Sequence, residues 1–511
     1  MRAFCALVLC LTATPALARS VVTSSAPLSA SVTVYRGAGE TGGAMNLDWL
    51  QGYALISETR RVSLPAGESV VRFEGVADGM LAVSAVVSGL PGGVIEKNRD
   101  AKLLSPAALL DGTLGNRVHI RRTNPATGKV TEGEAVIRSG ADGAVVLQTA
   151  EGVEALRCSG LPETIAYDAV PDELSAKPTF SVETNSAQAA TFDVTLTYLA
   201  TGFDWGAAYV AKVAEDGKSL DLSAWLTVAN GNGASYEGAQ LLAVAGKPNR
   251  VSNYEDLVED QPSPQLNLRC WPIGNTSMPP MPSLVPPPPM PVMSPMAASE
   301  IIVTAQKRSE SMRDVIAAQE ELGDLKLYRV PVPVDINPNG QKQVALLRKE
   351  HVPFTRFYGM TVGIDDTTED SRPLYQFLRL QNKAKDGLGL PLPAGGVVVM
   401  QAQGDTDMLL GQSLMLNRAV GEKFEVDAGQ SEQVRIEQNE LSSDSKLRRF
   451  RITLTNALDH PVPAEITLSG LENYGGVKFS AKLAPKGVDR LWVLTVPANS
   501  TASLEYSLKQ N

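Results

Sequence analysis

The chain has 511 residues, a formal net charge of −10 and an aromatic content of only 5%. This length allows several hydrophobic cores, and the acidic balance argues against non-specific binding to nucleic acid, so no nucleic-acid partner is predicted. The 43 glycines and 33 prolines, with frequent Val, Thr, Ala and Leu, are typical of many short strands joined by tight turns. A mainly β fold is therefore predicted.

The first 18 residues have the features of an export signal. Arg2 precedes an apolar run from Ala3 to Thr12, and Ala16 and Ala18 provide a small-x-small cleavage site. We predict a signal peptide over 1–18 and an exported protein, in the periplasm or at the outer membrane. No later window approaches the run of about 18 apolar residues that a membrane helix needs, so no transmembrane segment is predicted after signal removal.

Two cysteines, Cys158 and Cys270, remain after the signal is removed. In an oxidising compartment two cysteines can pair. Sequence alone does not show whether their α-carbons come within about 7 Å of each other. A Cys158–Cys270 disulfide and two free thiols are therefore both open.

Alternating apolar and polar residues predict strands along most of the chain. The fold class is an N-terminal β unit, a small β-barrel, and a larger antiparallel β-sandwich domain interrupted by a Pro-rich arm and one short helix. The predicted segments are the N-terminal β unit (19–100), the barrel (105–175), the first half of the sandwich domain (176–270), a Pro/Met-rich linker (271–298), an exposed strand with the helix (299–322), and the second half of the sandwich domain (323–511).

Local composition predicts two turns and one helix. Asp216–Gly217 and Asn230–Gly231 have the composition of hairpin turns. Glu310 to Leu322 has a rough apolar stripe followed by Gly323, which predicts the helix and its C-terminal end.

The proline-rich linker leads into the most specific functional signal. Pro286 to Pro289 favour extended polyproline II conformation. A β-branched run follows this arm and would offer unpaired backbone donors and acceptors to the edge of another sheet. We call it the docking strand; its residues are Glu300, Ile301, Ile302, Val303, Thr304 and Ala305. An edge strand of the chain's own sheet is the alternative interpretation.

Several segments resemble a bacterial family defined by the domain of unknown function DUF4139, which is related to the mucoidy inhibitor A family. They include SVTVYRG near the start, LTYLATGFDWGAAYVAKVAEDGKSLDLSAWLTVANG, and LYRVPVPVDINPNGQKQVALL. Tyr198, Trp205, Tyr209, Trp225 and Asn230 are the most specific points. The resemblance implies an exported β-rich protein without established catalytic residues. The small barrel stands where members of that family often have a long coiled coil.

A second, local resemblance covers SEIIVTAQKRSESMRDV, residues 299–315. It is similar to the start of the plug of TonB-dependent outer-membrane receptors, where an energy-coupling strand called the TonB box pairs with TonB. This resemblance implies a TonB-like periplasmic protein as the partner of the docking strand. The leading functional hypothesis is therefore a cell-envelope interaction or scaffold protein.

A different class of function would use exposed aromatic rings. Trp205, Tyr209, Trp225 and Tyr236 could form a surface that stacks on sugar rings, or they could be buried in the core. An envelope polysaccharide is the partner expected from the first alternative.

Catalysis has little support in the sequence. His119, His351 and His460 lie far apart without a metal ligand at short spacing, so no metal and no cofactor is predicted. Ser443 and Lys446 have the SxxK spacing of one hydrolase class, but the KTG motif of that class is absent. A hydrolase is the least favoured alternative, and the chain is predicted not to be an enzyme.

Overall fold

The computed structural model describes residues 19–37, 45–47, 49–100, 104–124, 126–139, 145–155, 163–171, 174–246, 316–322, 325–368 and 370–509. Contacts divide this part of the chain into two compact units. The first unit contains the described residues of 1–28 and 58–198, and the second contains those of 29–57, 199–251 and 314–511. Residues 29–57, predicted as part of the N-terminal β unit, therefore group with the C-terminal half of the chain.

Strands dominate both units, which confirms the mainly β prediction. In chain order the elements before the arm are β1 (Ser20–Ser24), β2 (Ser29–Tyr35), β3 (Tyr53–Leu64), β4 (Gly67–Glu74), β5 (Val86–Ser88), β6 (Glu96–Asp100), α1 (Pro106–Gly112), β7 (Arg117–Thr123), β8 (Val130–Ile137), β9 (Val146–Thr149), β10 (Gly152–Ala155), β11 (Glu163–Ala166), β12 (Thr179–Ser186), β13 (Ala190–Thr201), β14 (Phe203–Val213), β15 (Ser219–Asn230) and β16 (Tyr236–Ala245).

After the arm the elements are β17 (Ala318–Leu322), β18 (Leu325–Arg329), β19 (Val334–Ile336), β20 (Gly340–Pro353), β21 (Thr355–Gly363), β22 (Arg372–Gln381), β23 (Gly395–Gln403), β24 (Thr406–Met415), β25 (Lys423–Ser443), β26 (Leu447–Asn456), β27 (Val462–Ser469), β28 (Gly476–Phe479), β29 (Ala484–Lys486), β30 (Asp489–Val496) and β31 (Ser500–Lys509).

The first unit contains two sheets, and the five-stranded one has its own core, which includes Val118, Ile137 and Leu147. One has the strand order β1–β4–β12–β6, and the other has the order β10–β9–β8–β7–β11. The second sheet corresponds to the predicted barrel; its five strands form an open sheet, because no pairing joins β10 to β11 in the described residues. Helix α1 packs on this sheet, because Ala107 and Leu110 belong to the same core. At its N-terminus Ser105 accepts the N–H of Ala108 at 3.0 Å, and Pro106 lies in the first turn, where a missing N–H costs no helical hydrogen bond.

A buried ion pair connects strands of the first unit. Glu58 and Arg60 are fully buried, and the Arg60 Nε donates to the Glu58 carboxylate at 2.7 Å. Arg60 also donates to the carbonyl oxygens of Ser24 and Glu74, and Tyr198 donates its hydroxyl proton to Glu58 at 2.9 Å. Because these partners belong to different strands, the pair fixes the relative positions of those strands, which is a structural role.

The second unit contains three sheet segments. Their strand orders are β17–β18–β16–β2, with β19 also on β16; β20–β15–β14–β23–β24; and β28–β31–β26–β25–β22–β21–β27–β30–β29. The core of the nine-stranded sheet includes Phe450, Ile452, Ile466, Trp492 and Leu504, and in β26 and β31 the buried residues alternate with more exposed ones. This alternation is the period-two pattern that the sequence showed.

The second unit has the same local arrangement twice. In the first half β2 pairs in parallel with β16, and in the second half β21 pairs in parallel with β27. The strand just before each partner ends in a buried asparagine, Asn230 in β15 and Asn456 in β26. We call each of these turns an Asn corner. The first half is the region around β2, β15 and β16, and the second half is the region around β21, β26 and β27.

The two Asn corners have matching hydrogen bonds. Asn230 Oδ1 accepts the N–H of Asn232, and Asn456 Oδ1 accepts that of Leu458, both at 3.0 Å. Each Nδ2 donates to the carbonyl oxygen four residues later in the chain. The Nδ2 of Asn230 also donates to the carbonyl of Asn337, just after β19, and that of Asn456 donates to the carbonyl of Pro497, just after β30. β19 pairs with β16, and β30 pairs with β27. The side chain thus holds two loops together at the end of each half.

This geometry corrects the prediction of a hairpin at Asn230–Gly231. β15 pairs with β14 and β20, whereas β16 pairs with β2 and β18, so the chain changes sheet at this turn. Asp216–Gly217 is a hairpin turn as predicted: it joins β14 to β15, Gly217 has φ +67°, and Asp216 accepts the N–H of Lys218.

The predicted helix over Glu310–Leu322 is wrong for all seven of its described residues, of which Ile316 forms a β-bridge and Ala317 is not helical. Ala318–Leu322 form β17, which pairs antiparallel with β18, and Glu320 accepts two hydrogen bonds from Arg329 at 2.7 and 3.1 Å. Pairing with a neighbouring strand outweighs the helical propensity of this short segment. Residues 310–315 lie outside the described part of the chain.

Candidate functional site

We call residues 247–315, which include the Pro/Met-rich linker and the docking strand, the arm. The strands before and after it, β16 and β17, lie on either side of β18 in one sheet. The chain leaves the described part after β16 at Gly246, which has φ +112° and lies so close to Leu325 that a β-carbon would sit 2.6 Å from its Cδ2. It returns at Ile316, which forms a parallel bridge with Ala345, and Ala317 donates its N–H to the Ala345 carbonyl at 3.0 Å. We call this region, from β16 to β17, the arm anchor.

Register defines how far apart the two ends are. Ala245 lies opposite Lys326, and Lys326 lies opposite Glu321 on the next strand. β16 and β17 run parallel, Ile316 is five residues before Glu321, and Gly246 is one residue after Ala245. The two ends are therefore separated by about 10 Å across the strands and about 20 Å along them. The two ends of the arm therefore lie about 22 Å apart on the second unit.

A small cavity of about 170 Å³ lies beside the returning chain. Leucine and proline side chains dominate its walls, and Arg348 and Lys349 are among the lining residues. The others are Tyr209, Ile316, Ala317, Gln319, Tyr328, Leu346, Leu347, Leu390, Pro391, Leu392 and Pro393. These residues provide packing surface, and no nucleophile with an adjacent base is among them.

Two tyrosines hold the proline-containing wall of this cavity. Tyr209 donates its hydroxyl proton to the Pro393 carbonyl at 2.7 Å, and Tyr328 donates to the Pro391 carbonyl at 3.2 Å. Burial raises the pKa of Tyr328 to about 12 and raises that of Tyr209 well above its ordinary value. Both hydroxyls therefore remain neutral hydrogen-bond donors at physiological pH.

Three of the four candidate aromatic residues follow the second alternative, burial in the core, and are not part of a sugar-binding surface. Trp205, Tyr209 and Tyr236 are each only 1% exposed. Trp205 donates its Nε1 proton to the Val244 carbonyl at 3.0 Å, and the guanidinium of Arg36 lies 4.4 Å from the centre of its ring. These side chains face the core because they occupy the buried positions of alternating strands.

Trp225 is the exception, with 45% of its surface exposed. It lies opposite Ala208 and Ala345 on the two neighbouring strands, and Ala208 lies opposite Gly396. Because Ala208 and Gly396 are small, they leave the Trp225 indole ring exposed on this sheet face. No sequence pattern marks this row, because it depends on which strands become neighbours in the sheet.

A second cleft, of about 350 Å³, lies between β24 and the β22–β25 pair. Arg379 is its most extensively paired charge: it donates to Glu425 and to both oxygens of Glu465, and its guanidinium lies 4.1 Å from the centre of the Phe357 ring. Because these donors are already satisfied by carboxylates, we assign Arg379 a structural role.

Most of the remaining predicted site residues lie outside the described part of the chain. The docking strand Glu300–Ala305 and both cysteines, Cys158 and Cys270, lie outside the described residues. Within the described ranges, no group of three or more His, Cys, Asp or Glu side chains is arranged to hold a metal ion. Ser443 and Lys446 lie at the hairpin between β25 and β26, where Asp444 accepts the N–H of Lys446.

Comparison with known proteins gives no assignment: no protein-family model and no curated protein matches the chain. In the part of the chain that the structure describes, no helix is both long and apolar enough to cross a bilayer.

Proposed function

We propose that this chain is an exported cell-envelope interaction protein of the DUF4139 type. In this proposal the arm presents the docking strand Glu300–Ala305 to the sheet edge of a TonB-like periplasmic protein. The second unit is the scaffold that carries the arm. No catalytic step is part of the proposed function.

The position of the arm carries the proposal. In the second half, β27 connects to its antiparallel partner β30 through residues 470–488. In the first half, the equivalent connection from β16 to β18 covers residues 246–324 and contains the whole arm. Since the second half completes the same strand arrangement with a short connection, the arm is additional to what the fold requires.

The arm anchor also sets the reach of the docking strand. Ala305 is eleven residues before Ile316, so it can lie at most about 37 Å from its point of attachment. The longer segment from Gly246 to Glu300 does not limit this reach. A backbone strand on such a tether can pair with a foreign sheet edge, and its β-branched side chains would supply specificity.

The test measures binding of the mature protein to a purified TonB C-terminal domain by titration calorimetry. Ile302→Pro removes a backbone donor within the docking strand and is expected to weaken binding at least tenfold. Ser283→Pro is the matched control, because it adds a proline to the linker outside the strand. Absence of binding by the unmodified protein, or equal loss in both variants, would refute the proposal.

Exposure of Trp225 favours one second candidate, binding of an envelope polysaccharide on its sheet face. Trp225→Ala should then abolish retention on immobilised envelope polysaccharide without changing the unfolding temperature. Trp205→Ala, by contrast, should unfold the second unit whether or not a sugar binds. Unchanged retention of Trp225→Ala would rule out this candidate.

A further inference from the structure

Cations are concentrated on one exposed sheet face of the otherwise acidic protein. Arg449 of β26 lies opposite Ser507 of β31, and Ser507 lies opposite Lys478 of β28. Lys509 follows two residues after Ser507 and therefore points to the same face. We call Arg449, Lys478 and Lys509, all of them exposed, the basic face.

The spacing of the basic face follows from strand geometry. Arg449 and Lys478 are two strands apart, about 10 Å between α-carbons, and Lys509 is about 7 Å along β31 from the line that joins them. The three charges thus form a triangle on a flat surface. A triangle of this kind differs from the linear track that a single polymer strand would follow.

The charges around the basic face do not cancel it. Arg451 on the same face pairs with Glu505 at 2.6 Å, and Lys446 lies at the adjoining hairpin. Asp444 accepts the backbone N–H groups of Lys446 and Leu447, which lowers the pKa of Asp444. At the end of the sheet, Asp365 accepts a hydrogen bond from Tyr474.

On β26, β28, β31 and the adjoining hairpin, five cations therefore face two carboxylates, those of Asp444 and Glu505. Glu437 of β25 is a third carboxylate on the same face, next to Asn439 and opposite Thr453. Asp444 attracts Arg449 electrostatically, and none of the ion pairs between described residues includes Arg449, Lys478 or Lys509. A local positive charge on a chain of net charge −10 is complementary to an anionic partner. Screening limits the repulsion from more distant acidic residues, because the Debye length is only about 8 Å at physiological salt.

We propose that the basic face docks on an anionic lipid surface and binds its phosphate groups. The flat, triangular arrangement suits a planar array of phosphates. Leu441, 44% exposed on the adjoining hairpin strand, adds an apolar contact at the same end. Neither of the two cavities described above is lined by residues of the basic face.

The test is co-sedimentation of the intact mature protein with lipid vesicles. Vesicles of phosphatidylglycerol mixed with phosphatidylcholine should bind the protein, and vesicles of phosphatidylcholine alone should not. Each cation near an anionic bilayer contributes about fivefold in affinity, so the triple variant Arg449→Ser, Lys478→Ser, Lys509→Ser should bind about a hundredfold more weakly.

A matched control separates the local patch from the net charge. The triple variant Lys129→Ser, Lys218→Ser, Lys385→Ser removes three other exposed cations and should lose much less affinity. Equal loss in both triple variants, or equal binding to neutral and anionic vesicles, would overturn the proposal. The proposal would also be overturned if the protein failed to bind anionic vesicles but bound soluble dextran sulfate through the basic face.

Discussion

The first and second halves of the second unit have the same local strand arrangement but differ in the connection that follows it. Each has a parallel strand pair and an Asn corner, but residues 246–324 carry the arm where residues 470–488 make a short link. Loop-closure entropy rises only slowly with loop length, so a long insertion at this point is thermodynamically tolerable. The difference teaches that the scaffold and the arm are separable features.

The two halves also differ in the side-chain hydrogen bonds made by the strand that follows the Asn corner. In β27 Glu465 accepts two hydrogen bonds from Arg379, whereas in β16 Gln240 donates to the Val330 carbonyl at 2.6 Å. Each of these two residues directly follows an alanine, Ala464 or Ala239. The second half thus depends on an ion pair where the first half uses a neutral amide.

The largest expected effect is loss of an Asn corner. Asn456→Ala leaves several buried backbone groups without a partner, and we expect a loss of about 3 kcal/mol in the free energy of unfolding. Asn230→Ala should cost a similar amount if the corners are equivalent. Urea unfolding followed by tryptophan fluorescence measures both, and exposed Asn439→Ala is the control. A cost below about 1 kcal/mol for either variant would break the comparison.

Particular residues show how far the sequence could predict these features. Strand alternation correctly predicted the β class, and turn composition the hairpin at Asp216–Gly217, because both depend on neighbours within a few residues. The Asn230 corner resembled a hairpin in the sequence, since its true partners include the Asn337 carbonyl, which is 107 residues away. The burial of Trp205 and the exposure of Trp225 likewise depend on which face of the sheet is covered, which no local pattern specifies.

A smaller effect concerns acid sensitivity. Hydrogen bonds from Arg379 lower the pKa of Glu465 below its ordinary value. A carboxyl group whose pKa is lowered by folding stabilises the protein above its unfolded pKa, and this contribution is lost as the pH falls through the folded pKa. Glu465→Gln should therefore cost about 1 kcal/mol at pH 7, since the pair is partly solvent-screened, and the difference from the unmodified protein should disappear in acid.

Unfolding curves at several pH values measure this difference. Glu472→Gln, which removes an exposed carboxyl group on the same half, is the control for the loss of one carboxylate. If the cost of Glu465→Gln stayed constant from neutral pH to strong acid, it would come from lost packing, and the contrast with Gln240 in the first half would have no electrostatic basis.

At the arm anchor, Tyr328→Phe removes one hydroxyl and its bond to the Pro391 carbonyl while keeping the ring. We expect a loss of about 0.5–1 kcal/mol in the free energy of unfolding, because a single neutral hydrogen bond is lost. Tyr375→Phe on the second half is the control for the loss of a hydroxyl. Thermal unfolding compares the two, and equal losses would mean that the Pro391 contact does not stabilise the anchor.

The smallest effect on stability is expected from removing the arm itself. Ten Gly/Ser residues in place of 247–315 can span about 35 Å, more than the separation of about 22 Å between Gly246 and Ile316. The unfolding free energy should change by less than about 1 kcal/mol, while binding to a TonB domain should be lost completely. A variant lacking only 247–298 keeps the docking strand on its short tether and should still bind. Cooperative unfolding lost in both variants would show that the first half needs the arm, and that the two halves are not equivalent scaffolds.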